Sequence, residues 1–196
     1  ALARENVELV TDAIEAITPA GIRAADGTER PFDAIIFGTG FDVEAAWRGA
    51  EIRGRDGLLL RDHWGSAPKA YCGISVAGFP NLFMTVGPAT GLGHNSIIYM
   101  IEAQVEHIMS VMRLAERRGA RALMPRPAAQ EAFVAEVQAR MKDSVWMKGG
   151  CDSWYLLEGG RNYTLWPGHS FTYRSRVRKA RPKDYEALTS TSDSCH

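Results

Sequence analysis

The segment Pro80-Asn81-Leu82-Phe83-Met84-Thr85-Val86-Gly87-Pro88, continued by Ala89-Thr90-Gly91-Leu92-Gly93-His94-Asn95-Ser96, constrains the fold more than any other part of the chain. Its apolar run reads as a buried strand over Leu82–Val86. The strand passes into a glycine-rich turn, and the turn opens onto a helix starting near Ser96. In such a unit, free backbone N–H groups and the positive end of a helix dipole face whatever lies beyond the strand. In α/β sheets a cofactor phosphate or an electron-rich carbonyl oxygen tends to occupy that place.

The helix is the clearest element of the pattern. Ile97, Ile101, Val105, Ile108, Met112 and Ala115 recur at helical spacing. Asn95 is placed to cap its start, and Gly119 its end, after Arg117 and Arg118. A second helix is expected from about Ala128 to Ser144, behind Pro127, with Phe133, Val134, Val137 and Met141 on one face.

Elsewhere the spacing favours short strands. Val7–Val10 is a brief apolar run. Ile14–Ile17 and Gly21–Ala24 read as strands, with Asp26-Gly27 as a hairpin signal. Phe32–Phe37 is continuously apolar apart from Asp33, as in a central strand covered on both faces, and it ends in Gly38-Thr39-Gly40. Residues 42–72 read as a loop-rich excursion with Trp47 and Trp64 as packing anchors. Phe171–Val177 alternates like a strand, Asp184–Leu188 reads as a last helical turn, and the Ser/Thr-rich tail 189–196 as disordered.

Charge and cysteine content narrow the function. Among 196 residues, 23 Lys and Arg balance 23 Asp and Glu, which makes no electrostatic case for nucleic acid or an anionic membrane. The basic run Arg174, Arg176, Arg178, Lys179 and Arg181 reads as a solvated strand face or tail. Cys72, Cys151 and Cys195 form no C-x-x-C pair, so neither zinc nor a disulfide framework is indicated, and a reducing cytoplasm fits. No apolar run approaches the ~20 residues of a membrane span. Starting at Ala1 and running into a charged stretch, the sequence reads as one cut from something longer.

Taken singly, the motifs leave alternatives open. Gly38-Thr39-Gly40 allows a close backbone approach to a ligand, or a tight turn with none. Gly87–Ser96 suits a cofactor contact, or a helix start with a flexible lead-in. It contains no G-x-G-x-x-G and no Walker lysine. His63, His94, His107 and His169 lack metal-ligand spacing, and His107 reads as a satisfied surface or boundary residue. The aromatic clusters Ser153-Trp154-Tyr155 and Thr164-Leu165-Trp166-Pro167-Gly168 suit core packing first and a lid or stacking role second.

In order, these motifs resemble the C-terminal third of class B flavin-dependent monooxygenases, the Baeyer–Villiger and flavin-containing branch. The resemblance rests on Gly38-Thr39-Gly40-Phe41-Asp42, Phe79-Pro80-Asn81-Leu82-Phe83-Met84-Thr85-Val86-Gly87-Pro88, Gly93-His94-Asn95-Ser96 with Ile101-Glu102-Ala103-Gln104, and Ser153-Trp154-Tyr155 through Trp166-Pro167-Gly168. It covers roughly residues 5–188. It implies an α/β fold: an incomplete FAD/NAD(P)-binding Rossmann-like domain with a long amphipathic helix and a small β-rich appendage. Residues 1–37 would then close an NADPH domain and supply return strands, 38–145 would belong to the FAD-binding domain, and 146–188 would form an aromatic-rich closing segment.

The resemblance also implies FAD and NADPH as cofactors. It implies a peroxyflavin that inserts oxygen into a ketone or oxygenates a soft N or S centre of a small molecule. By motif, Gly38, Thr39 and Gly40 match the family's Ala/Gly-Thr-Gly element, with Gly38 where alanine is common. Gly87, Pro88, Asn95 and Ser96 match the segment approaching the flavin ring, and Trp154 a mobile-loop tryptophan that contacts NADP. No position matches the family's FAD glycine motif, its NADPH glycine motif, its F-x-G-x-x-x-H-x-x-x-W signature or its catalytic arginine. The expectation is therefore a fragment, inactive alone, whose partner is the missing N-terminal part of the same enzyme. One alternative is a non-catalytic module docking on a separate subunit that supplies the missing half. Another is a fragment of a pyridine nucleotide–disulfide reductase. Against the reductase stand the absent C-x-x-C and Pro88, where such enzymes usually present an aspartate.

Overall fold

The computed structural model describes residues 2–40, 45–149, 155–157 and 160–188. The chain divides into two compact units, residues 1–42 and 43–196.

The first unit is built on a three-stranded antiparallel meander: β1 (Ile14–Ile17), β2 (Gly21–Ala24) and β3 (Glu29–Pro31). The Asp26-Gly27 turn forms as the dipeptide predicts. The Asp26 carboxylate accepts the Thr28 N–H at 2.8 Å, and Gly27 adopts a φ of 84°. Gly21 permits close pairing, since a Cβ there would lie 2.0 Å from the Arg30 carbonyl oxygen of the neighbouring strand. Neither Val7–Val10 nor Phe32–Phe37 is a strand. The latter departs most from expectation. Ile36 is 95% exposed and Phe37 67%. An apolar run makes a buried strand only where neighbours offer ladder partners and cover; among the described residues the run joins no ladder, and only the Phe32 N–H, at its start, reaches a neighbour, the Ala20 carbonyl at 3.4 Å.

The second unit opens with three short helical pieces: α1 (Ala45–Arg48), a 3₁₀ turn at Arg55–Gly57, and α2 (Leu60–Trp64). Trp47 and Trp64 pack edge to face at 5.4 Å. Trp64 also anchors a small core with Leu60, Ala70, Val76 and Phe79. Leu82–Val86, expected as a strand, forms no ladder. Asn81 and Val86 bracket it at φ near 55°, and both kinks break extended pairing.

The long helix α3 (Ile97–Arg117) ends as its sequence predicts. Gly119, at a φ of 57°, sends its N–H to the Glu116 carbonyl, and the Ala120 N–H returns to Ala115. The buried face is rotated from the expected one: Met100, Ala103, Gln104, His107, Val111 and Leu114 point inward. Burial gives each large apolar side chain about 1.5–3 kcal/mol. Ile98, Val105, Met109 and Met112 are left exposed on the helix. The apolar residues of this helix wrap more than half its circumference, so periodicity alone could not select which stripe faces the core.

After α3 come β4 (Ala122–Pro125), α4 (Pro127–Met141) and α5 (Val145–Lys148), then a two-stranded ladder of β5 (Leu156–Leu157) and β6 (Arg161–Asn162). The last elements are α6 (Ser170–Val177), a 3₁₀ turn at Pro182–Asp184 and β7 (Tyr185–Leu188), which pairs antiparallel with β4. Two expectations are reversed here: 171–177 is a helix and 185–188 a strand. Tyr173 and Val177, four residues apart, also suit helical spacing, and their docking on α3 decides it. The basic run starts in a helix and not in a strand, and Arg178, Lys179 and Arg181 are exposed, whereas the first two arginines are paired. Arg174 is paired with Glu102 and Glu106, and Arg176 with Glu136 at 2.5 Å.

The main core joins α3, α4 and α6 through Leu114, Phe133, Val137, Trp166, Tyr173 and Tyr185, among others. His107 is not a surface residue; it is 1% exposed. No described helix is long and apolar enough to cross a membrane. The tail from 189 lies outside the described residues.

Candidate functional site

The strand-like segment, turn and helix start remain the centre of the candidate site. The turn is tightly built. Val86 has a φ of 56° and Ala89 one of 62°, and Cys72, in the facing turn, also has 56°. A positive φ is a true outlier for a β-branched residue such as Val86, and costs on the order of 1–3 kcal/mol. Packing and hydrogen bonds hold this strain in place. A Cβ on Gly87 would lie 2.3 Å from the Gly73 carbonyl oxygen, so the two turns touch backbone to backbone. The Thr90 hydroxyl donates to the Gly87 carbonyl at 2.6 Å, and the Ala89 N–H donates to Tyr163 at 2.6 Å. The Gln104 side chain accepts the Val86 N–H at 3.0 Å.

From Gly91 onward the loop is pinned along the C-terminal segment. Gly91 donates to Thr164 and accepts from the Trp166 N–H. A Cβ on Gly93 would meet the Trp146 ring at 2.4 Å. The Asn95 amide donates to the Ser170 hydroxyl at 2.8 Å. Asn95 therefore ties the loop to α6 and is not the cap. Ser96 occupies the N-cap position, and its side chain makes no capping bond. The first-turn N–H groups of α3 are thus not satisfied by a capping side chain, and Gly93–Ser96 are exposed. An electron-rich group is the chemical complement of such a helix start. On this observation the residues fit the edge of a cofactor.

The sequence-derived residues are distributed as follows. Gly87 and Pro88 lie half-buried in the strained turn, and Asn95 and Ser96 are exposed at the start of α3. Gly38, Thr39 and Gly40 lie in the first unit, exposed and outside any regular element. Gly40 has a φ of 81°, and a Cβ on Gly38 or Gly40 would meet no atom within 4 Å. Trp154, like Cys151, lies outside the described residues.

Residues missed from sequence surround the turn. Gln104 and Tyr173 are fully buried. The one amide side chain of the helix, one turn before His107 on the same face, was the available signal for Gln104. Tyr173 was hidden by reading its segment as a strand. Next to them, burial pushes the Cys72 thiol up to about 12 and raises the Tyr173 phenol well above its ordinary value, so both are neutral. Burial also lowers His107. Its Nδ1 carries a proton to the Val177 carbonyl, and Nε2 accepts from the Tyr185 hydroxyl at 2.7 Å. These groups are structural and buried in the core.

The class follows from comparison with known folds. The neighbours among solved structures are α/β flavin monooxygenases. A cyclohexanone monooxygenase from Rhodococcus sp. Phi1 bound to NADP+ superposes with a TM-score of 0.79 at 32% identity, over 96% of this chain and 37% of that one. OTEMO in complex with FAD and NADP gives 0.75 at 26% identity, over 93% and 36%.

Curated relatives narrow this further. A Baeyer-Villiger monooxygenase of Pseudomonas aeruginosa is 44% identical over 190 residues, and one of Streptomyces coelicolor 42% over 189. No family model matches. The matches span 96% of this chain but only 36% of either relative, so the chain is similar to a partial, C-terminal-type piece of these monooxygenases.

Proposed function

We propose that the chain is part of an FAD- and NADPH-dependent monooxygenase that oxygenates a ketone or a soft N or S centre, and that it is inactive alone. The observation that carries this reading is 44% identity to a Baeyer-Villiger monooxygenase over nearly the whole chain, against 36% of the relative's length. In this reading residues 1–37 close an NADPH-binding domain, 38–145 complete a Rossmann-like FAD domain and 146–188 form its aromatic closing segment. Reduced flavin would supply the oxygen-activating chemistry. Gly87 and Pro88 would set the backbone against the ring, and the start of α3 at Asn95 and Ser96 would favour negative charge on it. Gly38–Gly40 would lie where a side chain would obstruct the cofactor, and Trp154 would meet NADP.

Two exposed apolar surfaces support incompleteness. Ile36 and Phe37 in the first unit, and Ile98, Val105, Met109 and Met112 on α3, have the character of faces that a partner covers. They support equally a second reading, a module that docks on a separate subunit carrying the rest of the site.

Reconstitution tests both. The 196-residue chain mixed with FAD and passed over a sizing column is expected to retain little or no visible flavin absorbance. Fused behind the part of the Pseudomonas aeruginosa relative that it does not span, it is expected to hold FAD and to oxidise NADPH faster when a ketone or thioether is added. Flavin binding and NADPH oxidation restored by that part as a separate polypeptide would favour the docking module. Stoichiometric FAD and NADPH oxidation by the chain alone would sink the claim of inactivity, and a folded fusion without FAD would sink the monooxygenase reading.

A further inference from the structure

Three hydrogen bonds run in series beneath the strained turn, the first part-buried and the other two buried. The Val86 N–H donates to Gln104 Oε1 at 3.0 Å. Gln104 Nε2 donates to the Tyr173 hydroxyl at 3.1 Å. That hydroxyl donates to the Cys72 carbonyl at 2.7 Å. The line starts at one left-handed residue, Val86, and ends at another, Cys72. These two turns also meet directly where Gly87 packs on Gly73. One amide on α3 and one phenol on α6 therefore grip both turns from below.

The chemistry suits this task. Gln104 is 0% exposed, so on its Tyr173 side water cannot stand in for a lost partner. Its amide presents one acceptor and one donor on opposite sides, and both are used. A carboxylate would be charged in a dry place, and an apolar side chain would leave the Val86 N–H without its acceptor. A backbone held at a positive φ against its steric preference relaxes once its tether is cut, unless the surroundings over-determine it.

We infer that Gln104, held by Tyr173, is a positioning residue that sets the conformation of the Val86–Thr90 turn and thereby the contact of that turn with the flavin. The flavin half of this inference rests on the reading proposed above; the relay itself does not. Neither residue touches the reacting atoms. They act through the backbone of Val86 and Gly87.

The test has two arms. In the 196-residue chain, amide hydrogen exchange is followed residue by residue for wild type, Q104M, Q104E and Y173F. Exchange at Val86 is expected to speed up about tenfold in Q104M relative to amides in the middle of α3, the change that loss of one hydrogen bond predicts. Y173F frees the amide from its anchor and is expected to show a smaller acceleration at the same place. Q104E, kept protonated by burial, still offers an acceptor to Val86 and a donor to Tyr173 and is expected to restore much of the protection. Unchanged protection at Val86 in Q104M, or acceleration spread evenly over α3, overturns the relay.

The second arm uses the fusion with the remainder of the Pseudomonas aeruginosa relative. Q104M is expected to weaken FAD binding about tenfold and to shift the visible flavin bands, with recovery in Q104E. Val86 freed but flavin affinity and spectrum unchanged overturns the positioning role. A wild-type fusion that holds no flavin counts against the monooxygenase reading, while the exchange arm still decides the relay.

Discussion

Acidification should weaken this fold through His107. The side chain is 1% exposed, and burial holds its imidazole below the ordinary value of 6.5, so the folded state keeps it neutral. The unfolded chain binds a proton there as pH falls past about 6.5, and the folded chain does not. Stability is therefore fully present above the unfolded value and is lost as pH falls. For one group that stays unprotonated in the fold, the loss between pH 8 and pH 5.5 is RT ln 11, about 1.4 kcal/mol. For a chain of this size that is roughly 3–6 °C in Tm.

The assay is urea unfolding of wild type and H107Q at pH 8, 6.5 and 5.5. Glutamine can still donate to Val177 and accept from Tyr185, but does not titrate. H107Q is expected to start less stable and to lose about 1.4 kcal/mol less on acidification. His63 is also lowered, by burial and then by the Lys69 charge; it is exposed, so solvent screens its share, and it stays in both proteins as common background. Identical pH slopes in the two proteins, or wild type gaining stability toward pH 5.5, would refute this role for His107.

Three further outcomes are expected. G87A should destabilise by about 1–3 kcal/mol, because its Cβ would sit 2.3 Å from the Gly73 carbonyl, whereas G38A, with no atom within 4 Å, should lie within about 0.5 kcal/mol of wild type in chemical denaturation. L114A should cost about 2–5 kcal/mol, since Leu114 is buried in the main core, and should lower Tm accordingly. M109K, on the exposed face of α3, should leave the stability of the isolated chain within about 0.5 kcal/mol; in the fusion it should impair assembly and reduce bound flavin, if that face is covered there.

Punctuation is what the residues dictate locally in this protein. The Asp26-Gly27 turn, Pro127 at the start of α4 and Gly119 at the end of α3 could be read in advance, because backbone sterics and capping decide them. The ordered motifs likewise carried the kinship with flavin monooxygenases. Packing between distant segments settled the rest. Which apolar stripe of α3 faces inward depends on what packs beside it. Phe171–Val177 is a helix because Tyr173 and Val177 dock on α3, and Tyr185–Leu188 is a strand because β4 offers it a partner. Phe32–Phe37 stays outside any strand, since an apolar run does not make one without neighbours. The segment from Pro80 to Ser96 divides the same way. Its glycines and the following helix were legible in order, but the left-handed backbone at Val86, its tether to Gln104 and the displacement of Asn95 from cap to crosslink required contacts from residues 72–73, Gln104 and 163–173. Such contacts join residues far apart in the chain, so no local window of sequence contains them.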